Sequence, residues 1–402
     1  MTERWLSIVG IGEDGLEGLT PRGRMLVNDA QTLVGGDRHL GMLPDDGRER
    51  LTWPRPLTDL MPQIADRRGT SVCVLATGDP MFFGIGVTLA KHFDAGEMEI
   101  VPSLSAFTLA ASRLGWALAD AEQLTLHGRP VSLAVPFIQP GARLLILADG
   151  PDTPAQVADL LAERGYGDSR MFVLEHMGGA QERALTGYAG DWQHTDIAAF
   201  HTLAVECVAG PDAVILPRIP GLPDDVFTSD GNMTKRDVRA ATLAALAPQP
   251  GQHLWDIGAG CGSVAIEWMR THPGCRATAV ENRADRIGLI ARNAIALGVP
   301  RLGMIEGEAT DVLAELDSPD AVFIGGGAST PGLLDLCWDA LPAGGRLVAN
   351  AVTLEGEGAL AGFRTQNGGD LTRISVSHAE PVGPFTGWKP SMAVTRFAAV
   401  KS

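Results

Sequence analysis

At 402 residues the chain is too long for one ordinary domain, and two or three are expected. It is 45% hydrophobic and 20% charged, enough to bury proper cores. A net charge of −16 and only 5% aromatic residues argue against a nucleic-acid partner, which needs a basic footprint and stacking surfaces. Five cysteines without a C-x-x-C and nine histidines without an H-E-x-x-H leave no metal motif, and unpaired thiols suit a reducing cytoplasm.

The opening MTERWLSIV carries an early acid and too short an apolar stretch for a signal peptide. No apolar run approaches membrane-spanning length, so neither a membrane partner nor an anchor is expected. LSIVG predicts a buried strand, and GIGEDG follows it. Gly10, Gly12 and Gly15 spell G-x-G-x-x-G, but a dinucleotide fingerprint must open a helix directly. Here the next helix starts later, at TPRGRMLVNDA, with Thr20 as N-cap and Pro21 as its first residue. No acid ends the next strand, QTLVGG, so the dinucleotide reading of this motif fails on context.

Two further loops follow strands in this half. SVCVLATGDPMFFG places Gly78, Asp79 and Pro80 after a buried strand, and MEIVPSLSAFTLAASRLG places Pro102, Ser103, Ser105 and Ala106 where a strand leads into a helix. Ligands of open α/β sheets collect at the C-terminal ends of strands, so three such loops predict one cleft. Singly, each also reads as an ordinary turn or N-cap.

The proline-dense run PDAVILPRIPGLPDD, residues 211–225, breaks helices and predicts a stiff connector. The expected division is a first domain over 1–212, a linker over 213–225 and a second domain over 226–402. After the linker, MTKRDVRAATLAAL predicts a helix, with Thr234 and Asp237 at capping-box spacing. HLWDIG, RATAVE, LGMIEG, DAVFIG and GRLVAN predict strands, with helices such as ADRIGLIARNAIALG between them. RISVSHAE and SMAVTRFAAV read as two last strands joined by a long turn. The expectation is an α/β fold whose mostly parallel sheet ends in an antiparallel hairpin.

The centre of this half is DIGAGCGS. Gly258, Gly260 and Gly262 allow positive φ and close approach of a ligand, just before a helix whose free N–H groups favour polar groups. Glu281 ends the next strand, where an acid accepts hydrogen bonds from ribose hydroxyls. A dinucleotide and S-adenosylmethionine both fit that arrangement. The third glycine comes one residue early for a dinucleotide, whose position is Ser263. A carboxylate at Asp256, expected to point into the site, suits a sulfonium or an amino group better than a pyrophosphate. Cys261 reads as a small side chain fitting inside the turn.

VGIGEDG, ATGDP and VPSLSA together resemble the loops of the tetrapyrrole methylase family. That resemblance implies two α/β subdomains with S-adenosylmethionine folded in the cleft between them. The first loop departs from the G-x-G-P-G-D of many members, as it does in the branch that acts on precorrin-6Y. LTPRGRMLVNDAQTLVGGDRHL fits that branch. The second half resembles the Rossmann-like methyltransferases that accompany it, through DGNMTKRDVRAATLAAL, DIGAGCGSVAIE, GEA at 307–309 and FIGGG at 323–327. The two resemblances cover nearly the whole chain.

They imply a bifunctional precorrin methyltransferase and decarboxylase of cobalamin (corrin) biosynthesis, with one S-adenosylmethionine site per domain. The first domain would methylate C5. The second would methylate C15 and remove carbon dioxide from an acetate side chain. Carried over by motif, the first cofactor site would comprise Gly10, Gly12, Asp79, Phe82, Ser105 and Ala106, with Met177 in EHMGG a weaker candidate. The second would comprise Thr234, Asp256, Gly258, Ala259, Gly260, Cys261, Gly262, Glu281 and Ala309. The substrate carries many carboxylates. Lys235 and Arg239, one helical turn apart, and the adjacent Arg236 are candidates to hold them, or else form a solvated face. Arg113 and Arg129 are weaker candidates of the same kind in the first half. The glycines of FIGGG leave room for a bulky substrate. No metal is expected, and homo-oligomers are usual in both families. The cobalt-containing analogue of the substrate, an RNA methyltransferase with an accessory domain, and a tetrapyrrole carrier with a vestigial cleft stand as alternatives.

Overall fold

Uninterrupted apolar runs make strands covered on both faces, as parallel sheets require. In the computed structural model, which describes residues 4–402, LSIVGI forms β1 (Leu6–Ile11) with all six residues buried. The first three residues of MTERWLSIV lie outside the described residues. The chain folds as two compact units. The first comprises residues up to Val131 together with Pro140–Val214; the second comprises Ser132–Gln139 together with Ile215–Ser402.

The first unit holds two five-stranded sheets. β1, β2 (Thr32–Gly35), β3 (Glu49–Thr52), β4 (Val72–Thr77) and β5 (Met98–Val101) form a parallel sheet in the order β3-β2-β4-β1-β5. Between β1 and β2, the helix Pro21–Asp29 starts where the sequence predicts, with Thr20 Oγ1 accepting from Gly23 N at 3.1 Å. β6 (Ala121–Thr125), β7 (Arg143–Leu147), β8 (Arg170–Glu175), β9 (Arg183–Tyr188) and β10 (His201–Glu206) form the second sheet in the order β6-β7-β10-β8-β9, parallel only between β6 and β7. The loops after β1, β4 and β5 meet. Ser103 N donates to Gly78 O, and a Cβ at Gly10 would lie 1.9 Å from that oxygen and 2.6 Å from Ser103 N. Only glycine allows that approach of backbone to backbone.

The second unit carries a seven-stranded sheet. It is built from β11 (His253–Ile257), β12 (Arg276–Glu281), β13 (Gly303–Glu306), β14 (Ala321–Ile324), β15 (Arg346–Ala351), β16 (Asp370–Ile374) and β19 (Val394–Val400). The order is β13-β12-β11-β14-β15-β19-β16. β11 to β15 run parallel, and β19 is antiparallel to both β15 and β16. RISVSHAE does not form one strand: β16 stops at Ile374, and Ser377–Glu380 begin a ribbon that also takes in the expected turn, β17 (Ser377–Val382) and β18 (Phe385–Pro390), paired only with each other. The two strands include Pro381 and Pro390. Prolines are tolerated because both strands are edges.

Two other differences from the sequence reading stand out. Ser132–Gln139 was expected inside the first domain but folds with the second unit: Gln139 Nε2 donates to Leu216 O at 2.8 Å, and Pro136 packs against Gly298 so closely that a Cβ there would lie 2.4 Å from its Cδ. The helix after the connector spans Arg236–Leu246, with Lys235 rather than Thr234 as N-cap and no side-chain cap. The Thr234 carbonyl instead accepts from Arg239 Nη1 at 2.7 Å.

No helix among the described residues is long and apolar enough to cross a membrane, and no group of three or more His, Cys, Asp or Glu side chains among them is placed to hold a metal ion.

Candidate active site

A cavity of about 880 Å³ opens at the C-terminal ends of β11 to β15, a volume typical of small-molecule sites. Gly258, Gly260 and Gly262 have φ of +65°, +62° and +80°, the left-handed region that excludes most side chains. Gly258 N and Ala259 N donate to Val280 O, which ties the turn to β12. The Glu281 carboxylate braces the same turn, accepting from Gly260 N at 2.8 Å and from Arg283 N at 3.2 Å. Glu281 is 3% exposed but reaches the cavity wall. Space stays open over the turn: the nearest atom to a Cβ at Gly260 would be Asn232 O, 3.5 Å away.

Of the residues carried over by motif, Thr234, Gly258, Ala259, Gly260, Glu281 and Ala309 line this cavity. Asp256, Cys261 and Gly262 do not. Asp256 is 1% exposed and lies beneath the helix Ser263–Thr271, where Oδ2 accepts from Ala265 N at 3.0 Å. A free helix N–H attracts the carboxylate away from the cavity. Oδ1 has no hydrogen-bond partner, and burial, with Glu281 nearby, pushes the carboxyl pKa up to about 7. Cys261 is buried in the core, and that burial raises its thiol pKa. Gly262 packs against Ile290.

The three basic candidates separate. Lys235 is exposed at the cavity wall. Arg236 turns away, its Nε donating to Gly221 O at 2.8 Å. Arg239 is fully buried, pairing with Glu267 at 2.6 Å and Asp224 at 3.0 Å and donating to the carbonyls of Leu222 and Thr234. It cannot hold substrate, because burial left its charge to be neutralised inside the protein. Sequence reasoning missed Asn350 and His378 on the cavity wall. Asn350 ends the strand GRLVAN, and the rule that ligands sit at strand ends would have found it. His378 comes from the β17–β18 ribbon, and no local pattern marks it.

In the first unit a cavity of about 260 Å³ is lined by Asp79, Phe82, Ser105 and Ala106, together with His39 and Thr77. Ser105 also caps the helix Ala106–Leu114, accepting from Thr108 N at 3.1 Å, and Asp79 Oδ1 accepts from Met81 N at 2.9 Å. Gly10 and Gly12 are not on its wall; Gly10 lets the surrounding loops meet. Met177 is buried in the core with Phe107 and Ala110, so it offers no cleft contact. Arg113 is held by both carboxylate oxygens of Glu182, at 2.5 and 3.0 Å.

The first unit thus has the paired sheets of a tetrapyrrole methylase, and the second the sheet and glycine turn of a Rossmann-like methyltransferase. Residues 6–192 match the family model Tetrapyrrole (Corrin/Porphyrin) Methylases, and residues 225–401 match the Precorrin methyltransferase domain. A precorrin-6Y C(5,15)-methyltransferase (decarboxylating) of Sinorhizobium sp is 46% identical over 398 residues, 99% of this chain and 96% of that protein. One of Mycobacterium tuberculosis is 40% identical over 98% of this chain and 99% of its own length. The crystal structure of the C-terminal domain of precorrin-6Y C5,15-methyltransferase from Rhodobacter capsulatus is 45% identical, covers 46% of this chain and 100% of that one, and superposes with a TM-score of 0.44. The chain is a two-unit methyltransferase by class. It belongs to the precorrin-6Y C(5,15)-methyltransferase (decarboxylating) family.

Proposed function

We propose that the chain methylates C5 and C15 of precorrin-6Y and decarboxylates the ring C acetate to give precorrin-8, with one S-adenosylmethionine site in each unit, in the cytoplasm. The first unit carries the C5 reaction; the second carries the C15 reaction and the decarboxylation. The observation that carries this reading is a separate cleft at the strand ends of each unit, in a chain whose relatives of that name match from end to end.

The residues of the larger cavity fit the methyl donor. The glycine turn keeps space open beside the backbone, Glu281 offers a carboxylate to ribose hydroxyls, and Ala309 borders the place for an adenine. The donor supplies an already activated methyl group. The acceptor carbons are electron-rich, so positioning and exclusion of water supply most of the rate. Lys235 at the wall meets substrate carboxylates, and Gly325, Gly326 and Gly327 leave the macrocycle room. Decarboxylation needs no dedicated group if a ring imine nitrogen accepts the electrons; the protein then has only to orient and desolvate the acetate.

The test is incubation of the full-length protein with precorrin-6Y and S-adenosylmethionine, followed by mass. Two methyl additions and loss of one carbon dioxide are expected. Absence of either change would overturn the reading, and calorimetric titration finding one donor site would overturn the two-site part.

A further inference from the structure

The first unit contains a cluster of charged groups that the proposed reaction has not yet used. Glu13, in the loop after β1, accepts at Oε2 from His176 Nδ1 at 2.8 Å, and its other oxygen pairs with Arg38. Arg38 stacks 4.1 Å over the Phe200 ring and donates to Thr77 Oγ1 at 2.9 Å. Thr77 and its neighbour His39 line the 260 Å³ cavity. Glu13, Arg38 and His176 are not on that wall, but Arg38 ties them to it through Thr77, at the C-terminal ends of β1, β4 and β8 where this fold gathers ligands. Glu13 stands in GIGEDG, at the point where the first loop departs from the G-x-G-P-G-D of many tetrapyrrole methylases.

His176 has φ of +47°, a conformation unfavourable for a residue other than glycine. Strain of that kind persists where the surroundings over-determine a side chain's place. The Glu13 carboxylate only accepts, so it selects the tautomer with the proton on Nδ1. Nε2 is then left with a lone pair, on a side chain that is 23% exposed. A carboxylate that orients an imidazole with its second nitrogen open is the arrangement of a general base. His39 is the poorer base: burial, with Arg38 beside it, lowers its pKa to about 4. Asp79, on the cavity wall, has its Oδ1 held by Met81 N.

We infer that His176, oriented by Glu13, takes the proton released by methyl transfer in the first unit; this rests on the reading of that unit as the C5 methyltransferase. The ring carbon uses a π pair for the new C–C bond, and the pair of the broken C–S bond stays on sulfur. The methylated ring, richer by one positive charge, sheds a proton from that carbon or from a conjugated nitrogen. His176 Nε2 receives it, and the bonding pair returns to the ring.

The experiment uses the full-length protein and the mass assay above. Glycine accepts φ of +47° and leaves space for added imidazole, so His176→Gly is the first variant. The C5 methyl addition should slow about 10²-fold or more. The C15 methyl addition and loss of carbon dioxide should persist, and imidazole should restore part of the C5 step in the variant but not accelerate the wild type. Nitrogen NMR of the ligand-free protein should show His176 with its proton on Nδ1, and Glu13→Ala should shift it toward Nε2–H. A His176→Gly protein that keeps its C5 rate, or loses it with no imidazole rescue, overturns the inference while leaving the function intact. So does a His176 already protonated on Nε2 in the wild type. A wild type that adds no methyl at C5 overturns both.

Discussion

Two buried charges in the second unit show how a single side chain's role depends on where the fold sends it. Arg239 lies one helical turn from Lys235 in sequence, yet it neutralises Glu267, itself 2% exposed, while Lys235 stays at the cavity wall. Arg239→Met should therefore destabilise the protein by about 3–5 kcal/mol, because Glu267 would be left without its counter-charge. Urea unfolding would measure that loss. Lys235→Ala should leave unfolding unchanged and raise KM for the tetrapyrrole.

Asp256 makes a pH prediction. Its carboxyl stays protonated up to about pH 7 in the folded protein, against about 4 in the unfolded chain. The folded state thus holds the extra proton between those values. The stabilisation this gives is fully present below pH 4 and lost as pH rises through 7. Asp256→Asn, neutral throughout, should gain stability over the wild type from pH 4 to 7, with the gap constant above. Thermal melts across that range would check it.

Among the elements, the β17–β18 ribbon is the one the sequence concealed. A two-stranded ribbon is marginal alone, and Phe385 and Trp388, each 77% exposed, bury little of it. Ser391 N donates to Val376 O at 2.9 Å, closing its base, and that base puts His378 and Met392 on the cavity wall. Replacing Ser377–Pro390 by two glycines should leave the pairing of β16 with β19 intact and alter stability within about 0.5 kcal/mol. KM for the tetrapyrrole should rise about tenfold, the equivalent of 1.4 kcal/mol. A collapse of the melting temperature instead would show that the ribbon holds the sheet. The helix Arg236–Leu246 shows the same dependence on context: the spacing of Thr234 and Asp237 suits a cap, but the helix starts one residue later, from Lys235, with no side-chain cap.

For the whole molecule, the proposed assignment of C5 methylation to the first unit and of the C15 reactions to the second predicts that the activities separate. Glu281 serves only the second unit, where it braces Gly260 and faces the cavity. Hydrogen bonds to a charged group are worth about 1.5–3 kcal/mol, so Glu281→Ala should weaken donor binding there about 10- to 100-fold. C15 methylation and decarboxylation should fall together while C5 methylation continues. Parallel loss of all three would mean that the units do not act separately.

The sequence by itself determined what short-range physics controls. Buried strands are apolar runs, helix starts need caps and prolines, and a turn with positive φ needs glycine. The alternation of elements, the glycine turn of the second unit and the strand-end loops of the first were therefore legible, and they carried the family resemblance. Tertiary structure decided which way polar side chains turned. Asp256 faces a helix end rather than the cavity, Arg239 faces Glu267, and Ser132–Gln139 folds with residues far along the chain. Glu13 and His176 meet across 163 residues. A buried charge goes wherever it finds a partner, and that partner is supplied by the packing of distant elements, which no local pattern records.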